Sequence, residues 1–114
     1  MSDCLFCRII ERDIPAEILY EDDQVVALRD IHPQAPVHVL VIPRKHLANL
    51  EAAQAEDEAL IGHICTVAAE LARRDKLAES GYRLVANVGP DAGESVNHLH
   101  FHLLGGRHMV WPPG

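Results

Sequence analysis

Three histidines occupy every second position near the carboxyl end of the chain, separated by large apolar side chains. The segment is Asn97-His98-Leu99-His100-Phe101-His102-Leu103-Leu104-Gly105-Gly106. Successive side chains of a β-strand point to opposite faces, so this alternation predicts a strand with one face in a core and one face of imidazoles. Neighbouring imidazoles in such a row are separated by roughly 6.5–7 Å at Cβ, close enough to converge on one phosphate or one metal ion. We therefore expect a reactive surface here.

The row of imidazoles favours chemistry at phosphorus. A neutral imidazole is a nucleophile or a base, and attack on phosphorus gives a phosphohistidine bond that water cleaves readily. The attacking nitrogen must lack a proton, so its ring partner is expected to donate to a fixed acceptor such as a backbone carbonyl. The preceding loop contains Gly93 and Ser95, which offer amide hydrogens and a hydroxyl to the same phosphate. Two alternatives stay open: a catalytic zinc site with three imidazole ligands, and a solvated face without chemistry.

Composition and charge limit the class of protein and its partners. A length of 114 residues, 48% of them hydrophobic, predicts a single globular domain over residues 1–114. A net charge of −7 with scattered basic residues argues against a nucleic-acid polymer as partner. The apolar run 37–43 is too short to span a membrane, and no apolar secretory segment begins the chain. We expect a cytoplasmic protein with no membrane partner.

Periodicity predicts an α+β domain with an antiparallel sheet. Besides the histidine strand, short apolar runs bounded by turn residues predict strands at 18–20, 25–28, 37–42 and 82–88. Apolar residues at helical spacing predict one long helix over 56–74, and residues 5–11 predict a short one. Cys65 falls in the long helix and is expected to be an inert core thiol. Hairpins join most of these strands, which favours antiparallel pairing.

The segment 98–104 fits the pattern His-φ-His-φ-His-φ-φ, in which φ is apolar, and therefore resembles the motif of the histidine-triad (HIT) superfamily. Further segments, in order along almost the whole chain, resemble its Hint branch, the histidine-triad nucleotide-binding proteins. They are Ile14-Pro15-Ala16, Tyr20-Glu21-Asp22, Asp30-Ile31, Pro33-Gln34-Ala35-Pro36, Val41-Ile42-Pro43, Lys45-His46, Gly81-Tyr82-Arg83, Gly105-Gly106-Arg107 and Trp111-Pro112-Pro113-Gly114. The resemblance implies a five-stranded antiparallel sheet with helices on one side. It also implies a homodimer whose two sheets form one of ten strands.

The resemblance implies the activity of a purine nucleoside phosphoramidase. Such an enzyme cleaves the P–N bond between AMP or GMP and an amine, through a nucleotidyl-histidine intermediate, and releases the nucleoside monophosphate. His100 would be the nucleophile, and His98 and His102 would assist it, with His102 in contact with the phosphate. Ser95 would help to protonate the departing amine. The alternatives are a nucleotide-binding sensor or scaffold with incidental turnover, and a dinucleoside polyphosphate hydrolase.

The same resemblance implies which residues bind the nucleotide. They are Asp30, Ile31, Asn87, Gly93, Glu94, Ser95, His100 and His102. Asp30 would bind the ribose hydroxyls with Ile31 against the base, although an acid before Pro33 also suits a turn. Asn87 is alternatively a buried, hydrogen-bonded amide at a strand end. Trp111, in the tail over residues 107–114, would affect which leaving group is accepted, or else would simply anchor the tail.

Cys4 and Cys7 form a CxxC pair within the first ten residues. Too few residues precede it for the strand that a thioredoxin-like redox motif requires, so zinc is the more natural partner. Family members with this pair often bind structural zinc, and the resemblance implies the ligands Cys4, Cys7, His46 and His98. Residues 1–10 would then form a zinc-binding segment held against the sheet. No metal would be required for the chemistry. Zinc bound to His98 would make that residue a support for His100.

Overall fold

The computed structural model describes residues 3–114, which form a five-stranded antiparallel sheet with helices. The strands are β1 (Ile18–Glu21), β2 (Val25–Arg29), β3 (Val37–Pro43), β4 (Tyr82–Val85) and β5 (Phe101–Gly105), in the order β1-β2-β3-β5-β4. The helices are α1 (Leu5–Ile10), α2 (Glu58–Arg74) and α3 (Leu77–Ser80). The predicted α+β sheet with one long and one short helix is confirmed, and α3 is an additional helix that periodicity did not predict. Across residues 3–114, no helix combines the length and hydropathy needed to cross a bilayer.

Helix α2 begins at residue 58 rather than 56, because residues 55–57 form a 3-10 turn in front of it. Asp57 accepts a hydrogen bond from the Gln54 amide at 2.9 Å and a second from Lys45 Nζ at 2.6 Å. These bonds, that of Lys45 above all, hold the pKa of Asp57 below its usual range. The buried carboxylate thereby fixes the loop after β3, which contains His46, to the start of α2.

The two faces of the sheet are covered by different helices. Val39, Val41 and Leu103 share one core cluster with α2, while Leu40 and Ile42 share another with Phe6 and Ile9 of α1. Alternate strand residues point to opposite faces, so α1 and α2 lie on opposite sides of the sheet. The expectation of helices on one side is therefore wrong for α1. This short helix covers the face onto which the histidines project.

The histidine segment is a strand only from Phe101 onwards, so the predicted strand over the whole motif is too long. Its pairing with β3 begins at Val41 opposite Phe101. Further pairing would reach Pro43, which has no amide hydrogen to donate. Leu99 instead donates its amide to the carbonyl of Leu47 at 2.6 Å. Strand β4 is also shorter than predicted, because it ends at Val85, opposite His102, and not at 88.

The predicted orientations of the side chains in the motif are confirmed, although half of the motif is not a strand. Leu99, Phe101 and Leu103 all belong to the core cluster beneath α2. The imidazoles point the other way, but they do not form an open surface. His98 is 0% and His100 8% exposed, because α1 and neighbouring loops cover them. The reactive surface predicted from the sequence is in fact a largely enclosed site.

Gly106, directly after β5, fits closely against Pro36. Its φ is +92°, and an added Cβ would lie 2.9 Å from Pro36 Cβ. Gly106→Ala is expected to lower the free energy of unfolding by about 1–3 kcal/mol, since strain and overlap act together. Gly62→Ala is the control: it lies in α2 with nothing within 4 Å of the added Cβ, and should raise stability by about 0.5–1 kcal/mol. Urea denaturation of both variants measures this, and equal effects would contradict it.

Candidate active site and metal centre

His100 is held in one tautomer by the backbone. Its Nδ1–H donates to the carbonyl of His98 at 2.7 Å, so the neutral ring keeps a lone pair on Nε2. The ring also packs edge-on against Phe6 and His102, each with its centroid 5.0 Å away. The carbonyl acceptor expected from the sequence is thus confirmed. An imidazole oriented in this way is ready to attack an electrophile without first losing a proton.

His100 and His102 line a cavity of about 300 Å³. Leu5, Phe6 and Ile9 of α1 form part of its apolar wall. The polar lining includes, besides the two imidazoles, the predicted site residues Asp30 and Ser95, with Ile31 also in the wall. An apolar compartment beside imidazoles and a carboxylate suits a ligand with a flat ring at one end and a phosphate at the other.

The two carboxylate oxygens of Asp30 contact two different neighbours. One carboxylate oxygen accepts the His32 amide at 2.7 Å, which is the turn role that the sequence also allowed. The other oxygen lies 3.5 Å from His38 Nε2. The Ile31 side chain is 83% exposed at the rim, so it is free to cover a bound ligand. A turn function and a ligand function for Asp30 are therefore compatible.

His102 is paired with a fourth histidine from β3. Its Nδ1 lies 2.9 Å from His38 Nε2, and His38 is buried. Burial, reinforced by His100 and His38, lowers the pKa of His102 to about 4. Burial also lowers the pKa of His38, against the opposing effect of the Asp30 carboxylate. Both rings are neutral at physiological pH.

The low pKa of His102 makes stability depend on pH. In the unfolded chain this ring binds a proton near 6.5, whereas in the folded protein it stays neutral down to about 4. The unfolded state therefore gains protons first, and the free energy of unfolding should fall as the pH decreases between these values. Urea denaturation at the two ends of this range measures the loss. His102→Asn should lose less stability than the parent protein, and an equal loss would contradict the assignment.

The loop before the histidine segment is organised by Glu94. Its carboxylate accepts the Gly89 amide at 2.7 Å and the Asn49 side-chain amide at 3.1 Å, and these bonds, led by the first, lower its pKa. Gly93 has a φ of +80°, which permits the turn towards Ser95. Among residues 3–114, the cavity wall includes Ser95 but not Asn87, Gly93 or Glu94. Contact of these three with a ligand stays a prediction.

Neither ring nitrogen of His98 is directed at the cavity. Nε2 donates to the carbonyl of Pro43 at 2.8 Å, so the neutral ring keeps its lone pair on Nδ1. His98 Nδ1 lies 3.3 Å from Cys4 Sγ and 3.5 Å from Cys7 Sγ. Whether the His98 ring takes a direct part in the chemistry therefore stays a prediction. His98 reaches the site through its carbonyl, which orients His100.

The four predicted zinc ligands converge at one point. Cys7 Sγ lies 3.4 Å from His46 Nδ1, and the Nδ1 atoms of His46 and His98 are 3.1 Å apart. Donor atoms from all four residues lie within 4.8 Å of one another. Tetrahedral zinc bonds of ordinary length require nitrogen–sulfur separations of roughly 3.6 Å and a nitrogen–nitrogen separation of roughly 3.3 Å. The donor set, Cys4, Cys7, His46 and His98, therefore fits a zinc ion in chemistry and in spacing.

The carboxyl-terminal tail lies beside β4, away from the cavity. Trp111 is 81% exposed, and its ring lies 5.9 Å from the guanidinium carbon of Arg83. Arg83 also donates to the carbonyl of Val110 at 2.5 Å. Within the chain as described, Trp111 is thus attached to β4 through Arg83 and is not part of the cavity wall.

The contribution of α1 to the site was missed by the sequence analysis. Phe6 packs against both His98 and His100, with centroids 5.9 and 5.0 Å away. The only signal was the spacing of Phe6 and Ile9, which marks an apolar stripe on a short helix. That stripe predicts burial, but it does not say which face of the sheet it covers.

Comparison with known proteins agrees with this architecture. A family model described as the HIT domain matches residues 11–109. An uncharacterised HIT-like protein of Synechococcus elongatus is 54% identical over 113 residues, covering 99% of this chain and 98% of the relative. The crystal structure of a HIT family hydrolase from Legionella pneumophila is 49% identical with a TM-score of 0.96, covering 98% of this chain and 100% of that one. A histidine triad nucleotide-binding protein from Candida albicans is 34% identical with a TM-score of 0.83, covering 96% of this chain and 83% of that one. The chain belongs to the HIT domain family.

Proposed function

We propose that this protein is a hydrolase of purine nucleoside phosphoramidates, acting through a nucleotidyl intermediate on His100. The observation that carries the proposal is the hydrogen bond from His100 Nδ1 to the His98 carbonyl, which leaves an unprotonated Nε2 in a ring that lines the cavity. Similarity to a HIT family hydrolase and to a histidine triad nucleotide-binding protein supports the same reaction class.

The reaction proceeds in two displacements at the α-phosphorus. In the first, His100 Nε2 forms a bond to phosphorus while the bond to the amine breaks, and the amine departs with a proton. In the second, water attacks phosphorus and loses a proton, which restores the group that protonated the amine. The bond to Nε2 breaks, and the nucleoside monophosphate leaves. We propose that Ser95, which lines the cavity together with His100, helps to deliver the first proton. His102 contacts the phosphoryl oxygens.

The nucleotide is held by the remainder of the cavity. The apolar wall receives the purine, with Ile31 closing over it from the rim. The Asp30 carboxylate binds the ribose hydroxyls while it keeps its bond to the His32 amide. We further propose that Asn87, Gly93 and Glu94 reach the ribose or phosphate when the loop before Ser95 closes on the ligand.

A metallohydrolase that uses all three triad imidazoles on one ion is the less suitable interpretation. The His98 lone pair points to the two cysteines, and the Nδ1–H of His100 is occupied by a carbonyl. We propose instead that zinc is structural, held by Cys4, Cys7, His46 and His98. When bound, it supplies a crosslink between α1, the loop after β3 and the histidine segment, while the chemistry needs no metal.

We propose that the protein is a single domain that forms a homodimer. The strand order leaves β4 at an edge of the sheet, where a second copy can extend it to ten strands. Trp111 lies beside this edge, so in a dimer it would approach the partner and influence which amine is accepted. Analytical ultracentrifugation tests the dimer, and Trp111→Ala should then change the preference among amines more than it changes binding of AMP.

The direct test is incubation of the protein with an AMP–amine conjugate, with release of AMP measured by chromatography. Calorimetry with AMP in parallel separates binding from turnover. Release of AMP with a turnover rate well above the uncatalysed rate supports the proposal. Tight binding of AMP with negligible turnover on every amine would instead favour a nucleotide sensor or scaffold. Faster cleavage of dinucleoside polyphosphates than of phosphoramidates would favour a dinucleoside polyphosphate hydrolase.

A further inference from the structure

A second cavity adjoins the nucleotide cavity at Ser95. Its volume is about 440 Å³, and Ser95, Leu5 and Val96 line both cavities. Among the described residues, Asp3 and Asn97 belong to the wall of the second cavity alone. Neither the nucleotide nor the two displacements at phosphorus place a ligand in this space.

The position of Ser95 determines where the departing amine lies. In an in-line displacement, the nucleophile and the leaving group occupy opposite sides of phosphorus. His100 attacks from the nucleotide cavity, and within residues 3–114 it does not line the second cavity. Ser95, the proposed proton donor to the amine, lies where the two cavities meet. An amine that takes its proton from Ser95 therefore directs the rest of its structure towards the second cavity.

The second cavity is distinct from the proposed zinc site. Of the four proposed zinc ligands, its described wall includes Cys4 and His46 but neither Cys7 nor His98. The Nδ1 atom of His46 is the one close to the other donors, so a zinc-bound ring would keep its proton on Nε2 and stay neutral. His46 therefore adds no positive charge to the cavity.

One contact brings Asp3 and Asn97 to the same wall. Asp3 directly precedes Cys4, and Asn97 directly precedes His98. Cys4 Sγ lies 3.3 Å from His98 Nδ1, which joins the two segments. Cys4 is the N-cap of α1 and His98 is fully buried, so both are held in place. A carboxylate and an amide are thereby presented together next to Ser95.

The charge of this wall favours a cation. No lysine or arginine occurs among its described residues, and none of the ion pairs within residues 3–114 uses the Asp3 carboxylate. The Asn97 amide oxygen and the Ser95 hydroxyl add hydrogen-bond acceptors. Leu5 and Val96 supply apolar contacts for a hydrocarbon spacer. The net charge of −7 for the whole chain has the same sign as that of the wall.

We propose that the second cavity binds the leaving amine, and that Asp3 and Asn97 select amines with a second, positively charged group. This proposal rests on the proposed hydrolase function and names the class of amine for that reaction. The alkyl part of such an amine contacts Leu5 and Val96, and its terminal ammonium donates to the Asp3 carboxylate and the Asn97 oxygen. Because these residues belong to one chain, the selection does not require the proposed dimer.

AMP conjugates of three four-carbon amines test this selection. Diaminobutane, aminobutanol and aminobutanoate, each linked to phosphorus through a terminal nitrogen, differ only in the charge at the far end. We expect kcat/KM to be about tenfold higher for the ammonium than for the carboxylate at low salt, with a smaller ratio at high salt. Equal kcat/KM for the three, or a preference for the carboxylate, would overturn the proposal and leave the hydrolase function standing. No cleavage of any AMP–amine conjugate would contradict the hydrolase function itself.

Two substitutions of opposite charge assign the selection to the wall. Asp3→Asn removes a carboxylate and Asn97→Asp adds one, each with little change in size. We expect the ammonium-to-carboxylate ratio of kcat/KM to fall by about fivefold in the first variant and to rise in the second, whereas a purely structural effect would not move it in opposite directions. Asp23→Asn is the control, because Asp23 is exposed and outside both cavity walls. A ratio unchanged in either variant of the wall, or an equal fall in Asp23→Asn, would contradict the proposal.

Discussion

Replacing His100 by asparagine is expected to reduce turnover of an AMP–amine conjugate by at least about 10³-fold, because no other group replaces the nucleophile. The asparagine amide can still donate to the His98 carbonyl, which His100 Nδ1 does in the wild-type protein. The fold should therefore survive, and binding of AMP should weaken much less than turnover. Steady-state rates, calorimetry with AMP and circular dichroism measure these three quantities.

His108→Asn provides the matched control for this substitution. His108 is exposed and lies outside the cavity wall, so the same chemical change there should leave turnover within about twofold. Undiminished turnover in folded His100→Asn would remove His100 from the mechanism. A comparable loss in both variants would show that the effect is not specific to the site.

Removal of one of the proposed zinc ligands is expected to have the largest effect on stability. Cys7→Ala leaves three of the four donors that meet near His98 and should abolish tight zinc binding. We expect a loss of about 3–5 kcal/mol, which lowers Tm by more than about 10 °C for a domain of this size. Because Phe6 and its neighbours on α1 line the cavity, affinity for AMP should also fall, by about tenfold. Elemental analysis, thermal unfolding and calorimetry test each part.

Cys65→Ala is the control for the loss of a thiol. Cys65 is half-buried on α2 and packs against the core on the opposite side of the sheet from α1. Its replacement should leave the zinc content unchanged and cost less than about 1.5 kcal/mol. Full zinc content and an unchanged Tm in Cys7→Ala would contradict the proposed metal centre. A chelator should reproduce the Cys7→Ala phenotype in the parent protein.

The period-two pattern of the histidine segment was enough to predict which side chains face the core. Leu99, Phe101 and Leu103 do so because the two-residue alternation persists through the extended chain even where the ladder has ended. The start of the strand was not predictable from this segment alone. It depends on Pro43 in the partner strand, a long-range pairing that local periodicity cannot reveal.

The burial of the site also depends on contacts between distant segments. The spacing of Cys4 and Cys7, together with the family resemblance, predicts that they are metal ligands, but nothing local indicates that α1 then lies over the histidines. The hydrogen bond from the Gln34 amide to His38 is a similar case. It places a main-chain donor from a proline-containing loop against a strand side chain. Nearly every residue has a main-chain amide, so the sequence does not indicate which one meets a given side chain.

The proposed reaction requires that His100 become covalently linked to the nucleotide during turnover. Rapid mixing with an AMP–amine conjugate, quenching in base because the phosphohistidine bond is acid-labile, and peptide mass spectrometry measure this directly. We expect the adenylyl group on the peptide containing His100, localised to that ring, and formed no more slowly than AMP is released. Adenylyl label on another residue, or AMP release with no protein-bound nucleotide during the first turnover, would exclude a covalent intermediate on His100.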